Sequence, residues 1–214
     1  MLRKVKTFFF QFIESLIRNI SGIIGVKIRR AYYSKRLGGC GQNLRIDEGV
    51  IIEGVKNIFI GENVWIDKYC ILMAGKINIK KDKVNFKKNE LFNYNEGDLY
   101  LGSQSHLSPY CIIQAYAGVE IGDYFTASAS AKIYSLSNDV NNCKKGTYFS
   151  NDISYLKSQI IIKENVWLGI NATILGGLIG KNTFIGPNSV VFDDVEDNSF
   201  VVGMPAKKIK DRFL

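Results

Sequence analysis

Large aliphatic residues recur at a six-residue beat through the last third of the chain. They are Ile162, Leu168, Ile174, Ile179, Ile185 and Val191, at spacings of six, six, five, six and six. An amphipathic helix repeats its apolar residues every three or four positions and a half-buried strand every two, so neither fits. A beat of six held over thirty residues is the mark of a solenoid, in which short flat segments stack coil upon coil. The fourth residue after each aliphatic (Val166, Ala172, Leu178, Thr183, Ser189, Val195) is small or β-branched in most cases and is a second inward candidate. Gly169, Gly180 and Gly186 directly follow three of the aliphatics and read as turn residues without steric demands.

The same beat runs backwards through Ile46 and Ile52, then Ile60, Ile66 and Leu72, then Leu101, Leu107 and Ile113, then Ile121, Ala127 and Ile133. Grouped in threes, these give coils of three short strands and a triangular prism. The irregular steps, Ile52 to Ile60, Ile113 to Ile121 and Ile174 to Ile179, all follow the third strand of a coil. So do two insertions, 73–100 and 134–161. Every excursion is therefore expected to leave from one corner. The domain expected for residues 39–195 is flanked by a basic helical segment, 1–38, and a C-terminal cap, 196–214, in which Pro205 opens a short helix over Ala206 to Phe213.

Three blocks, VEIGD from Val119, VWLG from Val166 and VGMPAKKIK from Val202, carry a resemblance to the hexapeptide-repeat acyltransferases. The likeness spans roughly residues 40 to 210 and is nearest to galactoside and maltose O-acetyltransferases and surface-polysaccharide O-acetyltransferases. It implies an all-β fold, the left-handed parallel β-helix, and a homotrimer with acetyl-CoA sites between subunits. It also implies direct acetyl transfer to a sugar or glycan acceptor, without a metal.

Charge is not spread evenly. Residues 1–36 hold nine of the 28 cations and one of the 20 anions, Glu14, so the remainder is neutral and the net +8 belongs to this segment. A basic segment of this kind does not make a nucleic-acid-binding domain. Phe9, Phe12, Ile13, Leu16, Ile17, Ile20 and Ile24 fall at helical intervals there, with a break expected at Ser21 and Gly22. Such a helix suits two roles: packing on the prism or a neighbouring subunit, or lying on an anionic membrane surface. No run reaches the roughly eighteen apolar residues of a membrane span, and no signal peptide is read. The four cysteines, Cys40, Cys70, Cys111 and Cys143, form no CxxC pair. Cys70 and Cys111 each fall four residues after a repeat aliphatic and read as small inward residues, which suits a reducing, cytoplasmic compartment.

Acetyl transfer to a hydroxyl needs a base, donors for the oxyanion and a groove for the cofactor. In the resembled enzymes a histidine stands in the loop after the equivalent of Ile133. Here that position is Asn138, which cannot accept a proton at neutral pH. The one histidine is His106, in HLSPYC, a stretch similar to one in some polysaccharide O-acetyltransferases. His106 is thus the candidate base, against the alternative of an exposed structural residue, and Asp139 is a candidate to orient it or the sugar, from the same or a neighbouring subunit. The resemblance makes Ser108 and Asn138 candidate acceptor contacts. It places the cofactor near Trp167, Ile170 and Pro187, with Lys207 and Lys210 toward the phosphates and Phe192 available to stack on adenine. A single histidine excludes the three-histidine zinc site of carbonic anhydrases. N-acetylation of an amino sugar and a non-catalytic trimeric scaffold remain as alternatives.

Overall fold

The computed structural model describes residues 2–139 and 154–213, with side chains from residue 9 onward except at Lys81. Short strands stack into three faces of a prism, in which successive coils pair in parallel. The first face holds Gly39–Cys40, Ile58–Ile60, Leu99–Leu101, Val119–Ile121, Ile160–Ile162 and Gly177–Ile179. Facing it, the second holds Arg45–Ile46, Trp65–Ile66, His106–Leu107, Thr126–Ala127, Trp167–Leu168 and Phe184–Ile185. The third holds Ile51–Glu53, Ile71–Met73, Ile112–Gln114, Lys132–Tyr134, Thr173–Ile174 and Val190–Val191. Each strand is two or three residues long and turns one side chain inward on the second and third faces, while the three-residue strands of the first face from Ile58–Ile60 to Ile160–Ile162 bury both their first and last residues. Ile46, Ile66, Leu107, Ala127, Leu168 and Ile185 make one such column, all at most 2% exposed. A fully buried aliphatic contributes about 1.5–3 kcal/mol, so the repeated column is the main source of cohesion.

The corners show why the beat is six. At the first-to-second corner Asn43, Asn63, Gln104, Tyr124, Asn165, Asn182 and Asn198 all have φ between 55° and 58°. At the second-to-third corner Tyr69, Tyr110, Ser130, Asn171 and Asn188 do the same, with φ between 57° and 64°. Asn tolerates this left-handed backbone better than most L residues. Its amides also bond along the prism axis: Asn165 donates to Asn182 at 2.8 Å and Asn182 to Asn198 at 2.9 Å. The glycines expected to supply turn freedom act differently, because none of Gly169, Gly180 and Gly186 has a positive φ. A Cβ on Gly169 would meet Pro187 N at 2.6 Å, and one on Gly180 would meet Asp197 N at 2.3 Å. They are small because the next coil passes close by.

Every excursion does leave from the third-to-first corner. The two long ones join: Leu136–Asn138 pairs antiparallel with Tyr155–Ser158, which pairs parallel with Val84–Lys87. Lys157, 4% exposed, reaches Glu96 at 2.6 Å and ties the lobe together, while Lys76 approaches the same carboxylate at 2.9 Å. Burial works to raise the Glu96 carboxyl, but hydrogen bonds from Lys157 and Lys76 outweigh it and hold the group below the usual value.

Three expectations are corrected. Leu178 is not an inward residue: the five-residue step places it mid-strand on the outer side of Gly177–Ile179, half-buried. The repeat runs on past the expected domain end at residue 195, since Val195 bridges Ile179 and Ser199–Gly203 extends the second face, with Val201 2% exposed. The C-terminal cap is a strand, Ala206–Asp211, folded back antiparallel on Ser199–Gly203, and not a helix. The reversal holds Gly203 at φ 101° and a cis Met204–Pro205 bond. A strand edge left open at the prism end gains more from a paired strand than from a helix. The Lys-rich outer strand then presents charge where a bare edge would invite further pairing.

At the other end, α1 (Leu2–Arg18) and α2 (Gly22–Tyr33) break where expected and pack on the first coil. Arg29, 1% exposed, donates to Ile17 O at 2.9 Å, Ile20 O at 2.8 Å and Ile46 O at 3.0 Å. It thereby satisfies carbonyls at the end of α1 and pins the hairpin to the prism. Cys70 and Cys111 are buried as expected; hydrogen bonding to Cys111 and burial push the Cys70 thiol up. Cys40 is half-buried, and Cys143 lies outside the described residues.

Two measurements check these forces. Asn182→Gly keeps the left-handed corner and loses its amide bonds, whereas Asn182→Ala loses both. The alanine variant should therefore unfold at lower temperature, by about 1 kcal/mol of stability relative to the glycine variant. For Glu96, whose value is lowered on folding, the stabilisation is present above the ordinary carboxylate range and is lost as pH falls through that lowered value. Lys157→Met should cost on the order of 1–2 kcal/mol in urea unfolding at pH 7, with the gap to the parent narrowing in acid.

Candidate active site

His106 opens its strand on the second face with its side chain outward and half-buried. In-register stacking puts Trp65 and Thr126 beside it on the neighbouring coils. The Trp65 ring lies 4.9 Å from the imidazole at 30°. One position along the strands, past the inward Ile66, comes Asp67, whose Oδ2 is 3.0 Å from His106 Nε2. In the neutral-ring tautomer that suits a carboxylate acceptor, Nε2–H is the donor to Asp67 and Nδ1 carries the lone pair. The support extends further: Trp65 Nε1 donates to Asp47 at 3.3 Å, Asp47 pairs with Arg45 at 2.9 Å, and the Arg45 guanidinium lies 4.2 Å over the Trp65 ring.

Asp67 was not among the residues singled out from sequence. The signal was available, because the beat aligns Asp67 with Ser108 one coil away, directly beside His106. Within one chain the carboxylate at His106 is Asp67 and not Asp139. Asn138 ends the strand Leu136–Asn138 and Asp139 follows it, in the lobe that leaves the third face. Ser108 remains next to the histidine; its N–H donates to Ala127 O at 2.9 Å and its carbonyl accepts from the Cys70 thiol at 3.1 Å. At the adjoining corner Tyr69 and Tyr110 stack with ring centroids 5.4 Å apart at 9°, and both are about half exposed.

The outward column of the second face continues away from His106 through Thr126, Trp167, Phe184 and Phe200. Trp167 donates from Nε1 to Ser128 Oγ at 2.9 Å and meets Phe184 at 5.1 Å; Phe184 meets Phe200 at 4.8 Å. Lys210 closes the column, its Nζ 5.7 Å from the Phe200 ring. Ile170 and Pro187 are exposed at the adjoining corner, one coil apart, bracketing the Asn171–Asn188 amide bond. Trp167, Ile170, Pro187 and Lys210 thus share one side of the prism.

Phe192 and Lys207 do not join them. Phe192 sits at the third-to-first corner, where it and Lys207 line a cleft of about 350 Å³ at the prism end together with Asp193, Asp194 and Glu196. Three carboxylates there are poor neighbours for a phosphate. Among the described residues no group of three or more His, Cys, Asp and Glu is placed to hold a metal ion.

Comparison with known proteins agrees with this architecture. Residues 159–193 match the family described as bacterial transferase hexapeptide (six repeats). The chain is 29% identical over 179 residues to a dTDP-4-amino-4,6-dideoxy-D-glucose acyltransferase of Escherichia coli, covering 80% of this chain and 81% of that protein. It is 27% identical over 193 residues to WbbJ, a putative lipopolysaccharide biosynthesis O-acetyl transferase of Escherichia coli, covering 83% and 91%. A crystal structure of a variant of AntD, an N-acyltransferase from Bacillus cereus in complex with dTDP and coenzyme A, superposes with a TM-score of 0.68 at 24% identity, covering 86% and 88%. The six-residue beat, the stacked three-stranded coils, the hexapeptide match over residues 159–193 and the superposition together show a left-handed parallel β-helix fold.

Proposed function

We propose that this chain is an acetyltransferase that carries an acetyl group from acetyl-CoA to a hydroxyl of a sugar in a bacterial surface glycan, with His106 as general base. The observation that carries the reading is the His106–Asp67 pair at 3.0 Å, set at the head of an aromatic column that ends in Lys210. From His106 to Phe200 the column runs four coil steps, on the order of 19 Å at a strand spacing of 4.8 Å. A long thioester cofactor laid along it would have its acyl end near the base. Trp167, Ile170 and Pro187 would then flank the pantetheine and Lys210 would meet a phosphate. Lys207 and Phe192 would serve only a cofactor end that turns around the prism edge.

In this scheme Nδ1 takes the proton of the acceptor hydroxyl as its oxygen attacks the thioester carbonyl. The C–O bond forms, the C–S bond breaks, and the proton passes on to the departing sulfur. Asp67 holds the ring and stabilises the transient imidazolium, as carboxylates do beside catalytic histidines. Trp65 fixes the plane of the ring from one side. Ser108 and the Tyr69–Tyr110 edge line the acceptor side, since an aromatic surface suits the C–H face of a sugar. Family likeness supports a homotrimer, in which Asn138 and Asp139 of a neighbouring copy would complete the acceptor side. A cytoplasmic site of action suits a cofactor of this kind.

A second reading is N-acylation of an amino sugar carried on a nucleotide. The similarity to the dTDP-amino-sugar acyltransferase and to AntD favours it. The same base serves either acceptor, because an ammonium also has to lose a proton before attack.

The deciding experiment is CoA release with a panel of sugars and nucleotide sugars bearing hydroxyl or amino groups. Turnover only with amine acceptors would replace the first reading by the second, and no turnover with any acceptor together with no acetyl-CoA binding would leave a scaffold. His106→Ala should lower turnover by roughly 10²–10⁴-fold while acetyl-CoA binding by calorimetry is kept; full activity in that variant would remove the base. Since His106 is the one histidine of the chain, ¹⁵N NMR reads its tautomer directly. The Nε2–H form should dominate when the ring is neutral, and Asp67→Ala should mix the two forms.

A further inference from the structure

The hairpin of α1 and α2 uses one side to seat on the prism and leaves the other uncovered. The inner side is held by Ile17, Gly25, Arg29 and Tyr33, all buried. Outward, Phe9, Phe12 and Leu16 are 55–59% exposed on α1, at helical spacing, and Ile23 and Ile24 are 66% exposed on α2. Lys27, Arg30 and Lys35 are exposed on the same segment. Its one anion, Glu14, is already paired to Arg36 at 2.6 Å. The segment therefore combines large exposed apolar side chains with nearly all of the chain's excess positive charge.

A second copy is a poor occupant for this surface. A symmetric contact would bring two strongly cationic segments against each other, with no carboxylate free on either to offset them. Among the described residues no helix is long and apolar enough to cross a membrane, so the stripe does not read as a span. A helix with an apolar face and a basic flank lies in the plane of a bilayer surface. The apolar side chains enter the acyl boundary and the cations meet lipid phosphates.

We propose that the N-terminal helical hairpin docks the prism on an anionic lipid surface, with Phe9, Phe12, Leu16, Ile23 and Ile24 inserted and Lys27 and Arg30 on headgroup phosphates. The inference rests on the hairpin alone and stands whichever acceptor the second face takes. It turns the end of the prism that carries the hairpin, the first coil, toward the membrane.

The test is co-sedimentation of the full chain with vesicles of phosphatidylcholine alone and with about one-third phosphatidylglycerol, at low and high salt. Binding is expected to the anionic vesicles and to weaken as salt rises. Lys27→Gln and Arg30→Gln should each weaken it about fivefold, and the pair Phe12→Ser with Leu16→Ser at least tenfold, with thermal unfolding unchanged. Equal binding to both vesicle types, or variants that bind like the parent, would overturn the proposal. So would light scattering that shows the Phe12 and Leu16 variants dissociating an oligomer in the absence of lipid, since the stripe would then be a subunit contact.

Discussion

The structure depends on a single requirement: the inward aliphatic side chains of each face must land on their equivalents in the next coil. A one-residue slip in a strand turns its side chain outward, as Leu178 shows where the corner is one residue short. That requirement fixes the six-residue beat, and the beat fixes what else each position can be. Residues just before and just after the inward one point out and form their own columns. Corner residues must adopt a left-handed backbone or leave room for the coil beyond.

Most of this was legible in the sequence because it is local and repeated. Grouping aliphatics in threes yields three faces and assigns every excursion to one corner, and the structure has both. What escaped was what depends on ends and neighbours. The last strand pairs back on itself because an open sheet edge needs a partner, and nothing in AKKIKD alone distinguishes that strand from a helix. Glycines after the aliphatics looked like flexible turns, yet their role is steric clearance for the next coil, a relation across sixteen to eighteen residues. Asp67 escaped for a different reason. It lies thirty-nine residues before His106, across an insertion of unrelated composition, and only writing the coils in register sets the two side by side.

The second face shows how a repeat built for stability becomes a surface with direction. In the inner column every coil supplies much the same residue, whereas the outer column changes along the axis: Arg45, Trp65, His106, Thr126, Trp167, Phe184, Phe200. The polar, hydrogen-bonded end holds the one histidine with a carboxylate. Farther along, the column is aromatic and ends at a lysine. Because the backbone positions are equivalent, these differences arise from side chains alone, and neighbouring side chains lie close enough to support one another. Trp65 bonds Asp47 and packs on His106; Trp167 bonds Ser128 and packs on Phe184.

The corner beside that histidine carries a further sign of specialisation. Coils five and six use Asn171 and Asn188 at the second-to-third corner, where the left-handed backbone is tolerated and the amides bond to each other. Coils two and three place Tyr69 and Tyr110 there, at φ 60° and 64°. A bulky residue in this conformation costs on the order of 1–2 kcal/mol, and a stacked aromatic pair contributes about 0.5–1.5 kcal/mol. The two effects nearly cancel, so the tyrosines bring no clear stability over the asparagines used elsewhere in the same fold. What they add is an aromatic edge, about half exposed, next to His106 and Ser108. A corner that stability alone would leave to asparagine is thus given to tyrosine in the two coils that hold His106 and Asp67, and that coincidence is the physical argument for the acceptor side proposed there.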